Sequence, residues 1–496
     1  MISTRVWIAL TVWAGFALAA TVPTDRPDML FIAVDDLNDW TGCLGGHPQA
    51  RTPNLDALAA RGVLFENAQC SAPACNPSRA ALMSGLRPYA TGIYENHHSY
   101  SIPLRDVLTL NRYLRQQGYL VLGAGKIYHR HGLPIGQAEH WDDYYSAPAS
   151  PPPPRPDMTG LRRAHFDWGP LEAADEDMQD YRLASWGAQQ LEKHHDRPLF
   201  LAVGFIKPHL PWYVPRKYFD MFPLETIQLP RTIPDDLNDI PPAGVKMATL
   251  QGDHQAVTKA GLWASGVQAY LATIAFVDAQ IGRLIAAADR SWRSNRLVIV
   301  LWSDHGWHLG EKQHWRKFTL WEESARAPLI VVAPGIARSG GRCAAPVDFM
   351  SVYPTVCDLL RLPIPPHVQG RSLLPLLRDP ASPWPGVGLT THGRGNHGVR
   401  DRDWRYIRYE DGSEELYDHR TDPNEWTNLA ARTESAAVIA RLKAFLPAAE
   451  AEEAPRAKAD EETETKGASP NARERGGGRS RARSSPAGAG GAHLNQ

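Results

Sequence analysis

An apolar run that stops abruptly on acid constrains this chain more than any other feature. Met29-Leu30-Phe31-Ile32-Ala33-Val34 is continuous and apolar, then gives way at once to Asp35-Asp36. A run of that length between polar bounds suits a strand buried on both faces of a parallel sheet, because a solvated face would demand alternation. The same grammar returns twice. Leu199 to Ile206 runs into Lys207-Pro208-His209, and Leu297 to Trp302 runs into Ser303-Asp304-His305. Helical patterns lie between these runs, from Leu55 to Arg61, from Pro77 to Met83 and from Tyr270 to Ala287. Strands alternating with helices predict an α/β layered domain. Such sheets place their sites at the carboxyl ends of strands, where these polar clusters fall.

The rest of the chain divides around that domain. Arg5, the apolar stretch Val6 to Ala20 and the small residues Ala17-Leu18-Ala19 read as a cleaved export signal over 1–20, shorter than the roughly 20 residues of a bilayer span. No later segment is expected to span a membrane, so the protein is expected to be exported, periplasmic or secreted, without stable membrane insertion. The large domain is expected over 25–385. Ala147 to Pro156 is proline-rich and reads as an extended surface loop within it. A smaller subdomain is expected over 386–446. There Trp404 to Tyr409, Asp411-Gly412 and Glu415 to Asp418 suit an antiparallel hairpin, with a helix from Thr433 to Leu446. The remainder, 447–496, is rich in Ala, Glu, Arg, Gly and Ser with almost no apolar periodicity, and is expected to be a disordered tail that activity does not need. A net charge of −1 argues against a nucleic-acid partner. Five cysteines in an exported chain are too few for a disulfide framework, and the odd count leaves at least one unpaired or chemically altered.

Cys75-Asn76-Pro77-Ser78-Arg79-Ala80-Ala81-Leu82-Met83-Ser84-Gly85 carries the most chemistry. Pro77 suits the first turn of a helix. Cys75 then sits at or just before the N-terminus, where free amides and the dipole favour an anion. Arg79, one turn on, can meet that anion bidentately. On the residues alone, Cys75 reads either as a low-pKa thiolate nucleophile or as a small buried side chain. Asp35-Asp36 reads either as a strand end or as two metal ligands.

These residues resemble the signature of the formylglycine-dependent, type I sulfatases, and most closely their iduronate-2-sulfatase-like branch. The likeness runs from Pro27 to Leu429. Its blocks, in order, are Val34-Asp35-Asp36-Leu37, Thr52-Pro53-Asn54-Leu55-Asp56, Cys75 to Gly85, Gly125-Lys126-Ile127-Tyr128-His129, Lys207-Pro208-His209 and Ser303-Asp304-His305-Gly306-Trp307, with Lys317 and Glu415-Leu416-Tyr417-Asp418 after them. The resemblance implies an alkaline-phosphatase-like sandwich with a large mixed central sheet flanked by helices, plus a C-terminal subdomain with an antiparallel sheet and a helix. It implies that another enzyme, a formylglycine-generating enzyme or maturase, oxidises Cys75 to formylglycine. The hydrated aldehyde attacks sulfur with one hydroxyl, and the second lets sulfate leave. A Ca2+ ion would be held by Asp35, Asp36, Asp304 and residue 75, hard oxygens that suit calcium, with His305 as a nitrogen ligand. Arg79, Lys126, His129, His209 and Lys317 would complete the sulfate clamp. His129 would serve the formylglycine hydroxyl, and His209 with Lys317 the leaving oxygen, while Lys207 reads as solvated.

The substrate expected from this resemblance is a sulfated carbohydrate, with a sulfated uronic acid as the branch's implication. Trp212, Trp307 and Glu95-Asn96-His97-His98 are candidates for contact with the sugar. Two other readings stay open: a phosphonate monoester or phosphodiester hydrolase on the same scaffold, and a non-catalytic glycan-binding homologue.

Overall fold

The structure, a computed structural model, describes residues 26–129, 140–163 and 165–457. The expected signal (1–20) and the tail beyond 457 lie outside the described residues.

The run that opens the sequence argument forms the strand Asp28–Asp35, all of whose residues are buried. Leu30, Ile32 and Val34 pack into one hydrophobic core and Met29, Phe31 and Ala33 into another on the opposite face. This two-sided burial is why the run is unbroken. The strand pairs in parallel with Leu199–Pro208 on one side and Leu297–Ser303 on the other. These strands sit at the middle of an eight-stranded mixed sheet ordered Gly341–Cys343, Val63–Phe65, Leu329–Val332, Leu297–Ser303, Asp28–Asp35, Leu199–Pro208, Leu120–Gly125, Asp143–Tyr145. Leu329–Val332 supplies the antiparallel pairings. The fold is the expected α/β sandwich of alkaline-phosphatase type.

Helices cover both faces. Trp263–Arg290 and Gln179–Glu192 belong to one core, and Leu110–Gln116 and Val352–Leu359 to the other. Contrary to the sequence reading, Trp263–Arg290 is long and apolar enough to cross a membrane, but 78% of its most apolar stretch is buried inside the protein. Its hydrophobicity answers to the core it fills.

The C-terminal subdomain is a four-stranded antiparallel sheet, Gly388–Thr391, His397–Arg400, Trp404–Arg408 and Glu414–Asp418 in sequential order, with the expected hairpin as its last pair. The expected helix is shorter, Ala436–Lys443 after a 3-10 turn. One boundary is corrected. Residues 447–457 do not trail away but lie along 89–99: Ala451 N–H donates to the Tyr89 carbonyl at 2.7 Å and Ala454 N–H to that of Gly92 at 2.8 Å. Ala454 is only 8% exposed. Low apolar periodicity misled here because backbone pairing, not a hydrophobic face, orders the segment.

Candidate active site

Each polar cluster read from the sequence follows a central strand, so the sheet delivers them to one edge. Asp35 and Asp36 end the first strand, Lys126 follows Leu120–Gly125, His209 follows Leu199–Pro208, and Asp304 and His305 follow Leu297–Ser303. Into this edge points the helix Cys75–Ser84, with Cys75 at its first turn. Lys317 arrives from the loop after the short hairpin of His308–Leu309 and Trp315–Arg316.

The Cys75 thiol is fully buried. Its Sγ lies 3.3 Å from Lys317 Nζ, 3.4 Å from His305 Nε2 and 3.8 Å from Asp36 Oδ1. Burial alone raises a thiol pKa, yet the cations of Lys126 and Lys317 outweigh it and hold Cys75 below its ordinary value. Asp36 adopts a left-handed backbone (φ 61°), uncommon outside glycine. It is held there by its N–H donating to Asp304 Oδ1 at 3.0 Å and by the Tyr270 hydroxyl donating to its carbonyl at 2.7 Å. Lys317 Nζ donates to Asp36 Oδ1 at 2.7 Å. Asp36 Oδ2 is buried and has no hydrogen-bond partner among the described residues. Burial, against the pull of Lys317 and with the nearby Cys75 and Asp35, pushes Asp36 up to about 7.

Asp35 behaves oppositely. Burial raises it, but Lys126 and Arg79 hold it well below the usual carboxylate range. Arg79 departs from expectation. Its guanidinium donates to Asp304 Oδ2 at 2.8 Å, to Asp35 Oδ1 at 3.1 Å and to the Lys126 carbonyl. It therefore ties carboxylates from two strands together, where the sequence reading had it gripping an anion. Lys126 ion-pairs with Asp35.

His209 donates from Nδ1 to its neighbour's carbonyl, that of Leu210, at 2.6 Å, which leaves Nε2 facing Asp36 Oδ2 at 3.8 Å. Burial, with Lys317 and Lys126 nearby, holds this imidazole well below its ordinary value, hence neutral at pH 7. His129 is held low by burial and Lys126, and its Nδ1 is buried without a partner among the described residues. The donor atoms of Asp36, Cys75, Asp304 and His305 all lie within 4.8 Å of one another, as do those of Asp35, Asp36, Cys75 and His209. An oxygen-rich set with an orphaned, buried carboxylate oxygen fits a hard divalent cation.

The remaining candidates separate. Trp212 and Trp307 are 0% and 1% exposed and pack on each other at 6.0 Å, so they line the core and not a sugar site. Lys317 Nζ lies over the Trp307 ring at 5.2 Å. Lys207, read as solvated, instead donates to the carbonyls of His209 (3.1 Å) and Pro211, bracing the turn that presents His209. The Glu95 to His98 loop caps the helix of Cys75: Asn96 Oδ1 accepts the Asn76 N–H at 2.9 Å, and the Asn76 amide donates to the carbonyls of Glu95 and His98 at 3.1 and 2.7 Å.

Sequence reasoning missed the supports. The Ser78 hydroxyl donates to the Asp304 carbonyl at 2.5 Å, and Asp180 accepts the N–H groups of Ile206 and Lys207, both at 2.9 Å. Ser78 stands inside a quoted motif and was findable. Asp180, on a helix far from any motif, carries no sequence signal.

Comparison with known proteins places this geometry. Residues 27–362 match the sulfatase family model, and 310–452 match the model for the C-terminal region of N-sulphoglucosamine sulphohydrolase. A protein named sulfatase from Formosa agariphila is 38% identical over 448 residues, covering 85% of this chain and 87% of that one. Iduronate 2-sulfatase of Homo sapiens is 28% identical over 405 residues, covering 71% and 72%. Among solved structures, a phosphonate monoester hydrolase from Silicibacter pomeroyi superposes with a TM-score of 0.71 at 23% identity, covering 84% and 94%. That likeness shows the shared fold. A family match over most of the chain, joined to strand-end carboxylates, lysines and histidines gathered on one buried cysteine, makes this chain a member of the sulfatase family, a sulfuric ester hydrolase.

Proposed function

We propose that the protein hydrolyses a sulfate monoester of a carbohydrate, with residue 75 in its formylglycine form and a calcium ion held by Asp35, Asp36, Asp304 and His305. One observation carries the reading. A fully buried cysteine at a helix N-terminus touches a lysine, a histidine and an aspartate whose other oxygen is left without a hydrogen-bond partner among the described residues. A divalent cation would satisfy that oxygen and supply a Lewis acid for a sulfate oxygen. A hydrated aldehyde at residue 75 brings two hydroxyls where a serine brings one, the chemistry the family resemblance implies.

The chain's own groups fill the remaining roles. Lys126 and Lys317, held charged by the surrounding carboxylates, set positive charge on either side of Cys75 and stabilise charge that develops on sulfate. With Nδ1 committed to the Leu210 carbonyl, His209 can exchange a proton only at Nε2, the atom turned to the site, and it would have to be protonated there before it could donate to a leaving alkoxide. Lys207 and Asp180 hold that turn. His129 would take the proton of a residue 75 hydroxyl, the role the family resemblance implies for it. The carbohydrate assignment is supported by the similarity to iduronate 2-sulfatase and by the polar Glu95 to His98 loop beside Cys75. Export through the leader and oxidation of Cys75 by a separate maturation enzyme complete the reading.

Two measurements test it. Mass spectrometry of the tryptic peptide ending at Arg79, from the native host, should find an aldehyde in place of the thiol. Thiol in every molecule would overturn the mechanism. Purified protein should release sulfate from sulfated saccharides and turn over aryl sulfates faster than aryl phosphate esters. Dominant phosphodiester or phosphonate hydrolysis would reassign the activity.

A further inference from the structure

The segment 447–457 makes contacts that neither the fold nor the chemistry of Cys75 requires. It enters through Glu450, whose carboxylate accepts the Gly395 N–H at 2.9 Å and meets His397 Nε2 at 3.1 Å. Glu452 ion-pairs with Arg394 at 2.7 Å. Beyond Ala451 and Ala454, the Ser99 N–H donates to the Pro455 carbonyl at 2.7 Å, and the Ala457 N–H to that of His97 at 2.9 Å. The Tyr94 hydroxyl donates to the Ala451 carbonyl at 2.8 Å. The fit is close: a Cβ on Gly92, itself at φ +75°, would stand 2.1 Å from the Glu452 carbonyl oxygen.

The loop so gripped is the one that caps the Cys75 helix. Its Glu95 carboxylate lies 3.8 Å from His392 Nδ1, an atom that is buried with no hydrogen-bond partner among the described residues. His392 comes from the C-terminal subdomain and its ring lies 6.0 Å from that of Phe318, the residue after Lys317. Burial and the neighbouring Glu453 push Glu95 up to about 7, and burial pulls His392 down to about 4, so near neutral pH the imidazole is uncharged and the carboxyl is only partly ionised. A carboxyl and a neutral imidazole whose Nδ1 lacks a partner among the described residues offer hydrogen bonds suited to hydroxyl groups.

We infer that residues 447–457 form a strap that holds the 94–99 loop against the Cys75 helix, and that the Glu95–His392 pair so formed is a specificity subsite for hydroxyl groups of the substrate beyond its sulfate. The choice of sugar as occupant rests on the carbohydrate reading above, whereas the strap does not. The strap therefore governs binding of the larger substrate and leaves reaction at sulfur largely untouched.

The test compares the full chain, a chain ending at Ala457, a chain ending at Leu446, and the full-length variants Ala454→Arg and Glu95→Ala. Each is assayed on 4-nitrophenyl sulfate and on a 2-sulfated uronate disaccharide. The chain ending at Ala457 should match the full chain. The other three should raise KM for the disaccharide about ten-fold or more, while kcat/KM for the aryl sulfate changes less than about three-fold. Equal losses on both substrates, or none, would overturn the subsite. If the chain ending at Leu446 fails to fold, Ala454→Arg and Glu95→Ala decide by the same ratio. Hydrogen exchange reads the strap without any substrate: the amides of Asn76 and Ser99 should exchange faster in Ala454→Arg, and unchanged protection would overturn it. A full chain active on the aryl sulfate but not on the disaccharide would overturn the sugar as occupant and leave the strap to stand or fall by exchange.

Discussion

Among the described residues the protein buries two clusters of charge with metal-compatible donors, and only one of them gathers on a nucleophile. The second lies where the catalytic domain meets the C-terminal subdomain. There Arg405 Nε stands 2.6 Å from Glu425 Oε1, its NH2 meets Glu322, and His419 Nε2 lies 2.8 Å from Glu425. Donor atoms of Glu322, His419 and Glu425 come as close to one another as those around Cys75. A cavity of about 540 Å³ opens beside them, yet its lining includes none of the residues around Cys75. The difference is balance. Burial raises Glu322, but Arg400, Arg405 and His419 hold it well below the glutamate range, so that carboxylate is matched by cations. Asp36 sits at about 7 with one oxygen unanswered. A buried network that closes on itself joins two domains; one left open is poised to take something in.

That contrast can be broken in four places, taken from the largest expected effect downward. Cys75→Ala should abolish sulfate release, a loss of about 10⁴-fold or more in kcat, while thermal unfolding stays within a few degrees of the parent. Retained turnover would show that the open cluster is not the site. Lys317→Ala and His209→Ala should each lower kcat by about 10²- to 10³-fold in steady-state assays. Arg405→Met should do the reverse. Chemical denaturation should show a loss of about 3 kcal/mol, because Glu322 and Glu425 are left buried without their counter-charge, while kcat per folded molecule is kept. Last, calcium at a hundred times its Kd should stabilise the parent by about 2.7 kcal/mol. Thermal shift should show that increment lost in Asp304→Asn and kept in Glu425→Gln. A calcium response that follows Glu425 would exchange the roles of the two clusters.

Most of the open cluster was legible in the sequence, and little of the closed one was. Strand-end polarity is a local signal: the run into Asp35-Asp36 and its two counterparts state both the burial of a strand and the polar group it delivers. The motif names Arg79 but not its partners Asp35 and Asp304, since spacing along a helix does not say which carboxylates two other strands will bring beside it. Arg405 and Glu322 are 83 residues apart and share no pattern. Their pairing exists only once the subdomain docks. The strap was misread for a similar reason. Ala, Glu and Pro at 447–457 offer no hydrophobic stripe, and their order comes from backbone groups on 89–99 that no local rule names. Trp212 and Trp307 show the converse limit, as an aromatic side chain near a motif can be packing beneath the site.

The burial of Cys75 also sets a clock. No exposed surface remains on this side chain once the fold is complete. An enzyme that is to oxidise it has to reach it while the chain is still open. Lys317, which closes over the thiol, follows it by 242 residues. At roughly 5–20 residues per second, a ribosome takes on the order of ten to fifty seconds to cover that distance. On the formylglycine reading proposed above, maturation would therefore compete with synthesis and folding. A host that folds this chain quickly, or makes it faster than its oxidising enzyme can keep up, would accumulate well-folded molecules that can no longer be activated.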